Sequence, residues 1–206
     1  MTDYATEQEA FWAGEFGDEY IDRNVGSDIV AANISLFAKI LARTGSVRAI
    51  LELGANRGLN LMALRLLSPG AELSAIELNE KAVGKLRELG YVNVRHESIL
   101  EYEPGREYDL VFIKGVLIHI DPDHLGDVYE RLYRSSRRYV CIVEYYNPTP
   151  VEVNYRGHSG RLFKRDFAGE MMDRYADLRL LDYGFLYRRD SVFPNGDLTW
   201  FLLEKA

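Results

Sequence analysis

Short apolar runs alternate along this chain with stretches whose apolar residues recur at helical spacing. Ala49 to Leu53, Leu73 to Glu77, Val92 to Arg95, Tyr108 to Ile113 and Arg138 to Tyr145 read as strands, the first of them buried. Between them fall helical patterns. Ser27 is placed to cap Asp28 to Arg43, whose Ile29, Leu36, Ile40 and Leu41 form one face before Gly45. Leu59 to Leu67 is a second helix, and Glu80 to Leu89, capped by Asn79 and closed by Gly90, a third. Asp121-Pro122 opens a fourth that runs to Ser136, and Asp166 caps Phe167 to Tyr175. Two last strands, Leu178 to Tyr187 and Leu198 to Glu204, flank a turn at Pro194 to Asp197. Strands alternating with helices predict an open α/β sheet, with ligands at the carboxyl ends of its strands.

The first strand leads into Glu52-Leu-Gly-Ala-Asn-Arg-Gly58, a strand-turn-helix cradle. Gly54 lets the backbone pass close beneath a ligand, and Gly58 lets the helix begin against the strand. The spacing excludes two common ligands. A dinucleotide turn needs glycine where Asn56 and Leu59 stand, and the Gly-Lys-Ser/Thr of a phosphate loop is missing. Glu52 would repel a pyrophosphate but suits a cationic group, such as the amino group of an amino-acid-like cofactor. Glu77 ends the second strand about 20 residues beyond the turn, where a carboxylate bridges a ribose diol.

Glu52 to Gly58, Glu77 and Tyr108-Asp-Leu-Val-Phe-Ile-Lys-Gly-Val-Leu-Ile-His-Ile120 together resemble the class I S-adenosylmethionine-dependent methyltransferases, over residues 48 to 146. The resemblance implies an α/β, Rossmann-like class I methyltransferase fold: a seven-stranded, mostly parallel sheet with an antiparallel C-terminal hairpin and helices on both faces. It implies S-adenosylmethionine as cofactor. Glu52 and Gly54 would serve the methionine part, Glu77 the ribose, Ser98 and Ile99 the adenine, and the backbone near Lys114-Gly115 the sulfonium side, with Ala55, Asn56, Gly58 and Leu78 as further cofactor contacts. Phe11 to Asn24, Tyr145-Tyr-Asn-Pro-Thr-Pro150, Tyr155-Arg-Gly-His158 and Leu162 to Phe167 further resemble the methylases associated with pseudaminic acid biosynthesis.

The chain has 206 residues, enough for one domain with its own core, and a formal charge of −7 that argues against a nucleic-acid partner. Its single cysteine, Cys141, lies in the apolar run Tyr139 to Val143 and reads as packing. No apolar stretch is long enough for a membrane span, and the acidic N-terminus lacks signal-peptide features, so a cytoplasmic protein with no membrane partner is expected. His119, Asp121, Asp123 and His124 invite a metal reading. Capping accounts for Asp121 and the helix dipole for Asp123, and His124 has no partner ligand four residues on, so no metal is expected.

Two segments lie outside the generic pattern. Residues 1 to 26 carry Phe11, Trp12, Phe16 and Tyr20 and read either as a lid over the cofactor cleft or as a segment packed on the sheet, with Tyr20, Arg23 and Asn24 as polar contacts. Residues 144 to 166 form a long irregular stretch too aromatic to be disordered, the expected substrate loop. Its Asn147, Arg156, Lys164 and Arg165 are candidates to hold an anionic acceptor, against the alternative of a solvated basic turn. His119, His158, Tyr145 and Tyr146 are the candidate general bases. These features point to methyl transfer onto a small polar, anionic acceptor such as a nonulosonic sugar or its nucleotide-linked form. The alternatives are a non-catalytic S-adenosylmethionine-binding module or a methyltransferase with a protein or peptide acceptor.

Overall fold

A computed structural model describes residues 4–206. Its centre is a seven-stranded sheet. The strands are β1 (Ala49–Leu53), β2 (Glu72–Glu77), β3 (Val92–His96), β4 (Tyr108–Lys114), β5 (Ser136–Glu144), β8 (Leu178–Phe185) and β9 (Thr199–Lys205), in the order β3-β2-β1-β4-β5-β9-β8. The five strands from β3 to β5 pair in parallel, and β9 runs antiparallel to both β5 and β8. From β1 the chain winds outward one way to β3, then returns to β4 on the other side. The crevice between the ends of β1 and β4 is the switch point at which open α/β sheets bind ligands.

Helices cover both faces, which is why the central strands read as unbroken apolar runs. Ile50, Leu110, Phe112 and Cys141 point to one side, against Leu36, Phe37 and Ile40 of α3 (Ser27–Leu41) and Leu61 and Leu64 of α4 (Leu59–Leu67). Leu86 of α5 (Glu80–Glu88) joins that cluster. The alternate residues Leu51, Val111, Val140 and Ile142 pack against Val128 and Leu132 of α6 (Leu125–Ser135) and Phe167 and Met171 of α7 (Phe167–Arg174). Burial pushes the Cys141 thiol well above its ordinary pKa, as befits a packing residue.

The expected caps hold at Asn79, which accepts from Ala82 N at 3.0 Å, and at Asp166, which accepts from Gly169 N at 2.8 Å. Ser27 does not cap: it is the first residue of α3, Gly26 stands before it, and the Ser27 hydroxyl faces Asp28 instead. Asp121 caps a short 3-10 turn, Pro122–His124, and α6 begins only at Leu125. Residues 144 to 166 are more regular than their sequence suggests. Val151–Glu152 (β6) pairs antiparallel with Phe163–Lys164 (β7), and Leu162 between them is buried in the core.

The N-terminal helices α1 (Glu7–Ala13) and α2 (Glu15–Arg23) lie across the carboxyl end of the sheet. Asn79 Nδ2 donates to Trp12 O and Asp18 Oδ1, Lys81 pairs with Asp22 at 2.7 Å, and Arg57 Nη1 donates to Ile21 O. Among the described residues no helix is long and apolar enough to cross a membrane.

Candidate active site

A cavity of about 210 Å³ opens at the switch point, floored by the turn after β1 and the ends of β2 and β4 and roofed by α1 and α2. Gly54 lines it with φ +75°, and a Cβ there would lie 2.6 Å from Val116 Cγ2. The glycine is thus required by the side chain after β4 that crosses the turn. Ala55, Asn56, Glu77 and Leu78 line the cavity beside it. Glu77 is held at both oxygens: Oε2 accepts from Asn56 N at 2.6 Å and Oε1 from Asn79 N at 2.8 Å. Burial raises the Glu77 pKa, against the lowering effect of these amides.

Two residues of the glycine turn do something other than their sequence suggests. Gly58 does not reach the cavity. Its φ is +85°, and a Cβ would sit 2.8 Å from Leu86 Cδ2 and Leu89 Cδ1, so it exists to let α5 pack against the start of α4. Glu52 is wholly buried behind the wall, because the strand alternation turns it toward α4. Its Oε1 accepts from Asn60 Nδ2 at 2.6 Å, its Oε2 has no partner among the described residues, and burial raises its pKa to about 8. Asn60 and Asn33 reach the cavity wall in its place, each with an Oδ1 that lacks a partner among the described residues.

At the β4 end lie Lys114, Gly115 and His119. No hydrogen bond is made by Lys114 Nζ among the described residues, and burial lowers its pKa against the opposing pull of Glu52 and Glu144. Glu144, at the end of β5, accepts from Val116 N and Leu117 N at 2.8 Å each, which fixes the backbone leaving Gly115. Burial raises its pKa to about 8. His119 Nδ1 lies 2.6 Å from Arg161 O; a carbonyl only accepts, so Nδ1 carries the proton and Nε2 the lone pair. Burial lowers the His119 pKa to about 4. The ring is a weak base and a well-held hydrogen-bond acceptor.

The roof is aromatic. Trp12 stands 4.5 Å from the His119 ring and 5.2 Å from Tyr20 between ring centres, and Tyr155 stands 5.0 Å from His119. Tyr20 and Asn24 line the cavity, with Asn24 Nδ2 closing α2 on Tyr20 O. Arg23 does not: it lies on the outer face of α2, paired with Glu19 at 3.0 Å.

The basic groups of residues 144 to 166 mostly face elsewhere. Arg156 is exposed at φ +51°, Lys164 lies over the Tyr145 ring, and Asn147 Nδ2 turns back to Thr149 O. Arg165 pairs with Glu170 at 3.2 Å in a separate depression with Tyr129 and Arg174, since β7 carries it to the far side of the segment. His158 is exposed and packs edge-on against Phe11 and Phe16, and Tyr146 is 43% exposed beside Phe201. Neither reaches the cavity. Tyr145 is half-buried beneath Lys164, outside the cavity wall.

Sequence reasoning did not find Gln8 and Glu9 of α1, Asn33 and Asn60, or Glu144 as a backbone clamp. Asn60 had a signal, an amide in the first turn of the helix after the cradle. Glu9 had none, because only folding brings it to Ser98, whose hydroxyl donates to Glu9 Oε1. Ser98 is therefore occupied by α1, while Ile99 lines the cavity beside it.

No family model matches the chain, and no curated protein sequence does. Solved structures do. The magnesium protoporphyrin IX methyltransferase ChlM from Synechocystis PCC 6803, with bound S-adenosylhomocysteine (SAH), superposes with TM-score 0.69 at 12% identity, over 97% of this chain and 100% of that one. The plantazolicin methyltransferase BpumL with SAH gives 0.66 at 14%, over 96% and 93%. The glycopeptide N-methyltransferase MtfA with S-adenosylmethionine gives 0.63 at 14%, over 84% and 94%. The fold is that of the class I methyltransferases. Within this methyltransferase fold the cavity occupies the switch-point crevice, and α1 and α2 are its roof.

Proposed function

We propose that this chain is an S-adenosylmethionine-dependent methyltransferase acting on a small polar, anionic acceptor. The observation that carries the reading is the row of groups along the strand ends: Glu77 after β2, the Gly54 turn after β1 and the amine of Lys114 after β4, all on one roofed cavity. The cavity suits the cofactor. Asn33 Oδ1 and Asn60 Oδ1 lack donors among the described residues and would accept from an ammonium group, with the Glu52 carboxyl behind Asn60. Glu77, its carboxylate held by two amides, would accept from a ribose diol, and the glycine cradle leaves the room that a side chain would fill.

When bound, S-adenosylmethionine supplies an electrophilic methyl group on a sulfonium sulfur. The protein's own part is to align an acceptor, exclude water and handle a proton. Trp12 and Tyr20 line the cavity and exclude water from above. Lys114, rather than the loop arginines, faces an anionic acceptor group, and His119 Nε2 accepts from its O–H or N–H and orients it. With His158, Tyr145 and Tyr146 outside the cavity, His119 is the one of the four candidate bases that lines it. A nonulosonic sugar of the pseudaminic type, or its nucleotide-linked form, is the finer reading; it rests on the flanking sequence motifs and on an amine suited to a sugar acid.

Calorimetric titration of S-adenosylmethionine and SAH into the wild type and Glu77→Ala tests the cofactor reading. Micromolar binding lost in the variant is expected. Absence of binding to the wild type would refute it. Nonulosonates and their nucleotide-linked forms, screened by mass for the gain of one methyl group, test the acceptor.

A further inference from the structure

The cavity has a second end. The strand order puts the end of β3 three strand spacings from the end of β4, about 14 Å at ~4.8 Å per strand. Lys114 marks one end; Leu78, Ser98 and Ile99 mark the other, with Glu77 between. The walls of this far end are the apolar side chains Leu78 and Ile99. Its polar groups come from α1.

Glu9 is 8% exposed and firmly oriented: Oε1 accepts from the Ser98 hydroxyl, Oε2 from Ala5 N at 2.8 Å, and its own amide donates to Thr6 Oγ1 at 3.1 Å. Each carboxylate oxygen keeps a second lone pair. Gln8, 9% exposed, donates Nε2 to Gly160 O at 3.1 Å, which fixes the amide orientation and leaves Oε1 buried with no partner among the described residues. Two oriented acceptors with spare capacity, beside apolar walls that suit a flat ring, call for a ligand that brings N–H donors.

We propose that Glu9 and Gln8 of the N-terminal helix read the exocyclic amino group of the cofactor's nucleobase, so that the roof of the cavity is itself a base-specificity element. The assignment rests on the S-adenosylmethionine reading above. An amino group on the ring supplies two N–H donors to these oxygens. A ring with a carbonyl at that position turns a third acceptor toward them and moves its one N–H to the adjacent ring nitrogen, so its rejection follows from misplaced hydrogen bonds and lone-pair repulsion.

The test compares SAH with S-inosylhomocysteine, in which the ring amino group is replaced by a carbonyl, by calorimetry on the full chain. The wild type is expected to favour SAH at least about ten-fold. Glu9→Gln, able to offer a donor to the carbonyl, is expected to bring that ratio to about two-fold or less. Gln8→Met is expected to lower it in part, and with the wild-type ratio it decides the matter if Glu9→Gln melts early. Equal wild-type affinity for the two ligands, or an undiminished ratio in both variants, would overturn the assignment and leave the cofactor reading standing. Failure of the wild type to bind SAH would overturn that reading, and the assignment with it.

Discussion

Substituting Gly58 by alanine should damage the fold and spare the ligand site, the reverse of what a cradle glycine suggests. At φ +85° an alanine occupies the left-handed region, at a cost of about 1–2 kcal/mol. The new Cβ would lie 2.8 Å from Leu86 Cδ2 and Leu89 Cδ1, against the ~3.5–4.0 Å of an ordinary carbon contact. Both leucine tips must retreat in a packed core, where such crowding costs about 1–3 kcal/mol. The sum, about 2–5 kcal/mol, corresponds to a melting temperature lowered by roughly 4–20 °C for a chain of this size. Thermal melting by circular dichroism measures that drop, and calorimetry with SAH at a temperature where the variant remains folded measures the site. Gly54→Ala, whose Cβ would meet Val116 Cγ2 on the cavity wall, should lose both stability and binding. The reasoning fails if Gly58→Ala melts with the wild type, or if it folds normally yet does not bind SAH.

Three further outcomes are expected. Glu144 keeps its proton in the native state up to about pH 8 but ionises near its ordinary 4.5 when unfolded, so its contribution to stability is full below about 4.5 and lost as pH rises toward 8. Urea-denaturation free energies of the wild type should therefore fall relative to Glu144→Gln over that window, by up to about 1.4 kcal/mol per pH unit, and parallel pH profiles would contradict the assignment. Of the two tryptophans, Trp12 lines the cavity and Trp200 does not, so SAH should change the fluorescence of the wild type and of Trp200→Phe but not of Trp12→Phe. A response that survives in Trp12→Phe would place the ligand elsewhere. Arg165→Ala should leave SAH affinity within about two-fold of wild type, since its guanidinium is held by Glu170 at 3.2 Å, away from the cavity; exposed or peripheral ion pairs of this kind are worth about 1 kcal/mol or less.

The alternation of apolar runs and helical patterns determined the sheet and its covering helices, because a strand buried on both faces and a helix buried on one leave different periods in the sequence. The position of the Gly54 turn and of Glu77 at the strand ends was legible for a related reason. Backbone conformation at a strand-helix junction restricts residue type locally, and the spacing between strand ends is fixed by the β-α-β unit. The roles of Glu52 and Gly58 were not legible, since a carboxylate beside a turn and a glycine within one look the same whether they meet a ligand or a helix. Only the packing of α4 behind β1, and of Leu86 and Leu89 onto Gly58, decides that. The basic residues after β5 drew attention by charge, yet charge says nothing about direction, and the β6-β7 pairing turns Arg165 away while Lys114 is left inside. Glu9 reaches Ser98 across 89 positions of chain, and Gln8 reaches Gly160 across 152. Contacts at that separation are products of the tertiary fold alone, because no local pattern in the sequence constrains which distant residues will share a cavity wall.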